Sequence, residues 1–501
     1  MKTLDNKSGI WFQKSKFFIY RALTYFSFLL LPIWMGKALT LSLPVLVLVM
    51  VLYCAFIVSQ WFLLGKEIDH RLKIYFRVNS SIDRVVYRIF MGMFFMTIYF
   101  NLLYLLPSKW IYNCFWATWV ILGLFYSWPT RGKIIQESVT SNFHEYRYLD
   151  RFEKTILFLV VTLFVVSVPE FPNLDSYNSL RLYFDPNERV AGAFWNFITV
   201  NYYPFMKYPK LLKIAWCVHF YFLTMIVFLA TFYATARYFV SRRLAILGGF
   251  ALISSWSFTK VMAFSYGTTL ISTYSILWVW TMLWCTKSST YRSGLFVGLV
   301  GAWGVIIDKA NLVLFAIQLG LLFFYFFKDK TLWYKKQFFR YCSFGIFVSF
   351  LSFILSTSGF DYSIDLNMNF LSEAVRFIDR KAFFVMSIFG IFVLLIRAVL
   401  KKTNRVDFGT FEQEKLNQFI VSVFSIVCLS TLFDSRFVSD FGMLWILALL
   451  SIIPIEVIFQ KIRGLRSRRN MIYMIYILIC LLDSHFEGRL KIIYRMIQND
   501  Y

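Results

Sequence analysis

Continuous apolar runs, separated by short polar or charged stretches, recur along the whole chain. They lie near residues 17–35, 39–64, 87–106, 110–128, 155–168, 213–239, 244–258, 262–285, 292–307, 310–328, 338–356, 382–400, 417–433, 438–460 and 470–483. Most approach the roughly twenty residues that a helix needs to cross a hydrocarbon core. None alternates apolar and polar positions as a half-buried strand does. A lipid-facing backbone must also satisfy its hydrogen bonds within its own segment. The pattern predicts an all-α fold, a polytopic transmembrane helical bundle of about 13–15 spans.

Composition strengthens this picture. The chain is 59% hydrophobic with a mean hydropathy of +0.62, above the roughly 45–50% apolar content of soluble domains. Its formal charge of +25 would suggest nucleic acid in a soluble protein, but the distribution argues otherwise. With alternate loops assigned to opposite sides, 36 of the 52 Lys and Arg residues fall on one side and 16 on the other, while acids divide 13 and 14. The positive-inside rule then puts residues 1–16, 65–86, 129–154, 329–337, 401–416 and 461–469 in the cytoplasm of a cell-membrane protein whose N-terminus is also inside. The basic run from Lys461 to Arg469 is explained by topology and anionic headgroups, and no nucleic-acid partner is implied. The basic opening Met1 to Lys16 has no small-residue cleavage site after it, which predicts an uncleaved first span. Cys54, Cys114, Cys217, Cys285, Cys342, Cys428 and Cys480 lie in or near apolar segments without a CxxC pair, and the four histidines are scattered. Neither a disulfide framework nor a metal centre is indicated.

Three regions follow. Residues 1–154 form an N-terminal extension of about four spans, residues 155–356 a core, and residues 357–501 further spans with a short tail. Two predicted external loops are long, about 169–212 and 357–381. The first holds five of the ten prolines: Pro169, Pro172, Pro186, Pro204 and Pro209. Proline restricts the backbone, so this loop is expected to be an ordered cap over the bundle.

The candidate chemistry lies in that loop. Asp175 is the leading candidate for a general base or charge stabiliser, with Asp185 and Glu188 behind it. The stretch Asp185-Pro186-Asn187-Glu188 also fits a helix start, with Asp as the cap and Glu completing a capping box. Glu170 directly follows a span and fits a solvated boundary residue. Arg181, Arg189 and Lys309 are candidates for holding a phosphate, although Asp308-Lys309 also fits a simple boundary between two spans. Tyr177, Asn178 and Tyr183 are candidates for sugar or acceptor contacts, and Trp195, Tyr202 and Tyr203 add further rings. Gly294, Gly298, Gly301 and Gly304 recur at steps of four, three and three. That spacing lays them on one helical face suited to close packing.

Between about 155 and 356 the order of segments resembles the GT-C superfamily of membrane glycosyltransferases, particularly the protein O-mannosyltransferase and aminoarabinose transferase group. One span, 155–168, is followed by the large loop bearing Asp175 and then by six more spans. The stretch Ala234 to Gly249, with Arg237, Arg242 and Arg243, resembles the family's cytoplasmic turn. The stretch Tyr291 to Lys309 resembles its glycine-rich span ending in a lysine. The chain departs from the family where Asp175 is followed by Ser176 instead of a second acid. It also reads Tyr266-Gly-Thr-Thr-Leu where many members carry a further acid, and Lys309 lies between Asp308 and Ala310.

The resemblance implies a GT-C-like seven-span core that moves a sugar from a polyprenyl-phosphate donor to an acceptor on the non-cytoplasmic side. The lipid-linked sugar would be the co-substrate, and membrane lipids and a membrane-protein partner the other associations; a divalent-metal requirement is not specified. Two alternatives stand beside it. One is a non-catalytic GT-C-like scaffold or lipid-binding subunit. The other is a transporter or flippase, against which count the scarcity of intramembrane charges and the lack of broken helices in matching halves.

Overall fold

A computed structural model describes residues 16, 18–31, 33–34, 43–72, 81–103, 105–128, 148–166, 224–255, 266–285, 290–307, 311–329, 331–356, 386–393, 395–396, 444–461 and 463–482. Among the described residues every regular element is helical. In chain order these are α1 (Phe18–Leu31), α2 (Leu43–Leu72), α3 (Ser81–Leu103), α4 (Ser108–Ser127), α5 (Arg151–Val166), α6 (Thr224–Ala236) and α7 (Arg242–Ser254). There follow α8 (Tyr266–Cys285), α9 (Ser293–Ile307), α10 (Asn311–Asp329), α11 (Leu332–Ser356), α12 (Leu444–Lys461) and α13 (Arg469–Leu482). Residues 386–393 add a short helical stretch, and Arg463–Arg466 a single turn. Each helix falls on one of the apolar runs; the run at 417–433 lies outside the described residues. Three are long and apolar enough to cross a membrane: Leu48–Leu72 in α2, Ile82–Leu103 in α3 and Leu332–Ile354 in α11.

Several helices outlast their apolar runs for local reasons. Helix α2 continues to Leu72 because Glu67 and Arg71, one turn apart, pair at 2.9 Å and Asp69 bonds Arg88 on α3 at 3.1 Å. Helix α3 begins early, with Asp83 in its first turn, where the positive end of the helix dipole favours an acid.

Packing relies on close backbone approach. A Cβ at Gly65 would collide with the Arg88 carbonyl oxygen, and one at Gly92 with that of Trp61. Helices α2 and α3 thus meet antiparallel with almost nothing between them. On α9, Gly294 and Gly298 lie against the carbonyl oxygens of Phe338 and Cys342, so α9 and α11 run parallel in intimate contact. The glycine row does not serve one neighbour throughout. Gly301 takes the Phe315 ring of α10 and Gly304 the Tyr274 ring of α8. Helix α9 is consequently the axis around which α8, α10 and α11 assemble. Helix α3 joins them through Phe94 on Trp303, 5.5 Å between centroids, and Tyr87 on Trp284 at 5.2 Å.

The outer surface inverts the soluble pattern. On α11 the side chains of Ser349 and Ser352 are buried while Phe344, Phe347, Leu351 and Ile354 are exposed. On α13 Tyr473, Tyr476 and Cys480 face inward, and Met471, Met474, Ile475, Leu478 and Leu482 face out. Exposed apolar faces of this size are costly in water and cost nothing against acyl chains. Small and polar residues then belong at helix contacts, where van der Waals packing and hydrogen bonds supply the attraction.

Candidate functional site

The described ionisable groups concentrate at one end of the bundle. Its centre is the start of α5. Asp150 Oδ1 accepts the Glu153 N–H at 2.7 Å, and Glu153 Oε2 accepts the Asp150 N–H at 2.9 Å. This reciprocal capping box satisfies two donors that a helix start would otherwise strand. The same carboxylates then reach α7. Arg242 donates Nε to Glu153 Oε1 and Nη2 to Glu153 Oε2, both at 2.8 Å, and Nη2 also donates to the Tyr148 carbonyl at 2.9 Å. Arg243 pairs with Asp150 Oδ2.

Two arginines at the first positions of α7 oppose its dipole, and three acids offset that. The third comes from α12, where Glu456 Oε2 accepts the Ser241 N–H at 2.8 Å. Glu153 is only 2% exposed, so its charge depends on the two-pronged guanidinium bond. Those bonds in turn hold the Arg242 guanidinium above its usual pKa, against partial burial. Partial burial works to raise the Asp150 carboxyl, but the Glu153 backbone N–H and then the Arg243 guanidinium leave it below the ordinary carboxylate value.

A second junction ties α3 and α2 to the same end. Buried Asp83 accepts the Trp280 indole N–H at 2.9 Å and the Tyr238 hydroxyl at 3.4 Å. Arg292, just before α9, donates to the Leu72 carbonyl at 2.6 Å. Together these bonds gather the starts of α3, α5, α7 and α9 with the ends of α2 and α12. Their carboxylates are committed to guanidinium, indole and backbone donors, which suits them to holding helices and not to accepting a substrate proton.

Among the described side chains, those in the opposite half of the bundle are uncharged. Along α8, Tyr274 Oη and Trp278 Nε1 sit one turn apart, and both are buried without a hydrogen-bond partner. On α10 the Gln318 amide is buried with neither its donor nor its acceptor satisfied. Tyr274 lies over Gly304, and Gln318 is one turn beyond the Phe315 that covers Gly301. Uncharged donors and acceptors of this kind suit a neutral hydroxyl-bearing group and cannot compensate a buried ion. Among the described residues no three His, Cys, Asp or Glu side chains are placed to hold a metal ion.

The residues singled out from the sequence, namely Asp175, Asp185, Glu188, Arg181, Arg189, Lys309, Tyr177, Asn178 and Tyr183, lie outside the described residues. Their flanks are described. Val166 ends α5, which starts at the charged junction, and Ile307 ends α9, which starts beside Arg292. Both helices therefore point their far ends away from the charges. The junction itself was readable only in part. Asp150-Arg-Phe-Glu153 before an apolar run is a capping-box signature, whereas nothing in the spacing pairs Glu153 with an arginine 89 residues later. No protein-family model, no curated protein and no solved structure matches the chain.

Proposed function

We propose that this chain is a multi-pass membrane protein with a GT-C-like core, and that it transfers a sugar from a polyprenyl-phosphate donor to an acceptor on the non-cytoplasmic side. One observation carries the reading: α5 and α9, which lead into the Asp175 loop and into Lys309, both start at the charged junction and head away from it. That arrangement supports a shared outer face for the carboxylate and the cations. The inverted polarity of α11 and α13 supports a lipid surround, and the paired basic end supports a cytoplasmic orientation under the positive-inside rule.

In this reading Asp175 acts as base or charge stabiliser, with Asp185 and Glu188 as the secondary candidates. Arg181, Arg189 and Lys309 hold the donor phosphate, and Tyr177, Asn178 and Tyr183 contact the sugar or the acceptor. The spans beyond the three long helices, the seven-span core and the assignment to the cell membrane belong to the same proposal. Membranes containing the Asp175→Asn variant, supplied with polyprenyl-phosphate-linked sugars, should lose at least a hundredfold in sugar release from the donor, since general acid–base groups contribute about 10²–10⁴. Unchanged release would remove the mechanism and favour a non-catalytic scaffold. Lys309→Gln should raise the donor concentration needed for half-maximal rate more than it lowers the rate itself.

A further inference from the structure

Most described arginines that bridge helices are satisfied. Arg88, Arg242 and Arg243 meet acids, and Arg292 meets a carbonyl. Arg468 and Arg469, at the start of α13, are different. Arg468 is exposed, and neither has an acid or carbonyl acceptor among the described residues. Arg469 lies with its guanidinium carbon 5.7 Å from the Phe459 ring centroid, and its Nε is buried without a partner. Neither guanidinium therefore has a directional acceptor, although Arg469 shares the surroundings of Tyr473 with the Glu456 carboxylate.

Directly beyond them runs the outward face of α13. Met471, Met474, Ile475, Leu478 and Leu482 are 47–87% exposed and recur at helical spacing, with Arg468 one turn before Met471 on the same row. The inward face, with Tyr473, Tyr476, Ile477 and Cys480, is already packed. From Met471 to Leu482 the row rises about 16 Å at 1.5 Å per residue, close to one leaflet of a hydrocarbon core roughly 30 Å thick. A cationic head and an apolar row one leaflet long match a single kind of occupant.

We infer that Arg468 and Arg469 hold the phosphate of an anionic phospholipid whose acyl chain lies along the Met471–Leu482 face of α13. The charge complementarity selects an anionic headgroup over a zwitterionic one. The apolar row selects a lipid over a soluble phosphate. This inference rests on the membrane reading above but not on sugar transfer.

The test uses the full chain purified in mild detergent, with phosphatidylglycerol or phosphatidylcholine added and the retained lipid read by native mass spectrometry. Wild type should retain phosphatidylglycerol roughly tenfold better than phosphatidylcholine, given the attraction each basic residue exerts on an anionic lipid. The R468Q/R469Q variant should lose that preference while keeping the helical circular dichroism of wild type. R468K/R469K should retain most of it, and R340Q, which neutralises an exposed arginine on α11, should leave it unchanged. Equal retention of the two lipids by wild type, or an undiminished preference in R468Q/R469Q, would overturn the inference. So would displacement of the lipid by millimolar inorganic phosphate, which would mark a general anion site. Extraction of the chain from membranes by alkaline carbonate would instead defeat the membrane reading itself, so the two failures are distinguishable.

Discussion

The charged junction of α5, α7 and α12 and the neutral group of α8 to α11 use opposite means to hold helices together. At the junction, each buried acid meets donors from another segment, and the helices are joined by directional bonds. Around α9 the helices meet through glycine and aromatic rings, and several polar atoms are left without partners. The contrast teaches where uncommitted polar capacity lies. The carboxylates of the α5, α7 and α12 junction are committed, whereas the uncharged half that leads toward the Asp175 loop and Lys309 keeps unpartnered groups. At the charged end Asp69 Oδ1, on the carboxylate that Arg88 binds, is also unpartnered.

Four substitutions break or sharpen that contrast, in descending order of expected effect. Gly298→Val drives a side chain into the Cys342 carbonyl, a backbone atom that cannot step aside. It should cost about 3 kcal/mol or more, read as a lowered unfolding midpoint in detergent. Arg242→Leu strands the Glu153 carboxylate. A fully buried pair broken in this way costs about 3–5 kcal/mol; because the Arg242 side chain is 36% exposed, solvent screening brings the expectation to about 2 kcal/mol. The E153Q/R242Q double variant should lose less than Arg242→Leu alone. In the neutral group the sign reverses. Gln318→Leu removes an amide with no partner and should stabilise by about 1 kcal/mol; a loss instead would mean that the amide is satisfied by water or ligand.

The smallest effect is a pH dependence. The folded Asp150 carboxyl titrates below its ordinary value, so its contribution is present above the unfolded pKa of about 3.9 and is lost as pH falls through the lower, folded value. Between pH 7 and 5 wild type and Asp150→Asn should therefore show parallel unfolding midpoints. Below pH 4 the wild-type midpoint should fall more steeply, converging on that of the variant.

Much of the helical layout was legible because a continuous apolar run admits few alternatives, and each described helix occupies one. The edges shifted where charge pairs lengthened a helix, as Glu67 with Arg71 does for α2. The glycine row of α9 was legible as a packing face, but its division among three neighbours was not. Spacing records which face a residue occupies and not which helix lies opposite. The same limit applies at the junction. A capping box is a local pattern, three residues wide, while the bonds from Glu153 to Arg242 and from Asp83 to Trp280 join residues 89 and 197 apart. Of the candidate site, the sequence supplies the residue types, and the described helices supply the direction of the segments that lead to them.

The bond between Ser241 and Glu456 spans 215 residues, and that separation is also an interval of time. At about 5–20 residues per second, the ribosome needs roughly 10–40 s after making the start of α7 before it makes the acid that meets it. During that interval α7 carries two arginines at its positive end with only the acids of α5 for company. A nascent chain cut short before Leu444 would never receive the third acid, so the last helices of the bundle also complete one of its middle ones.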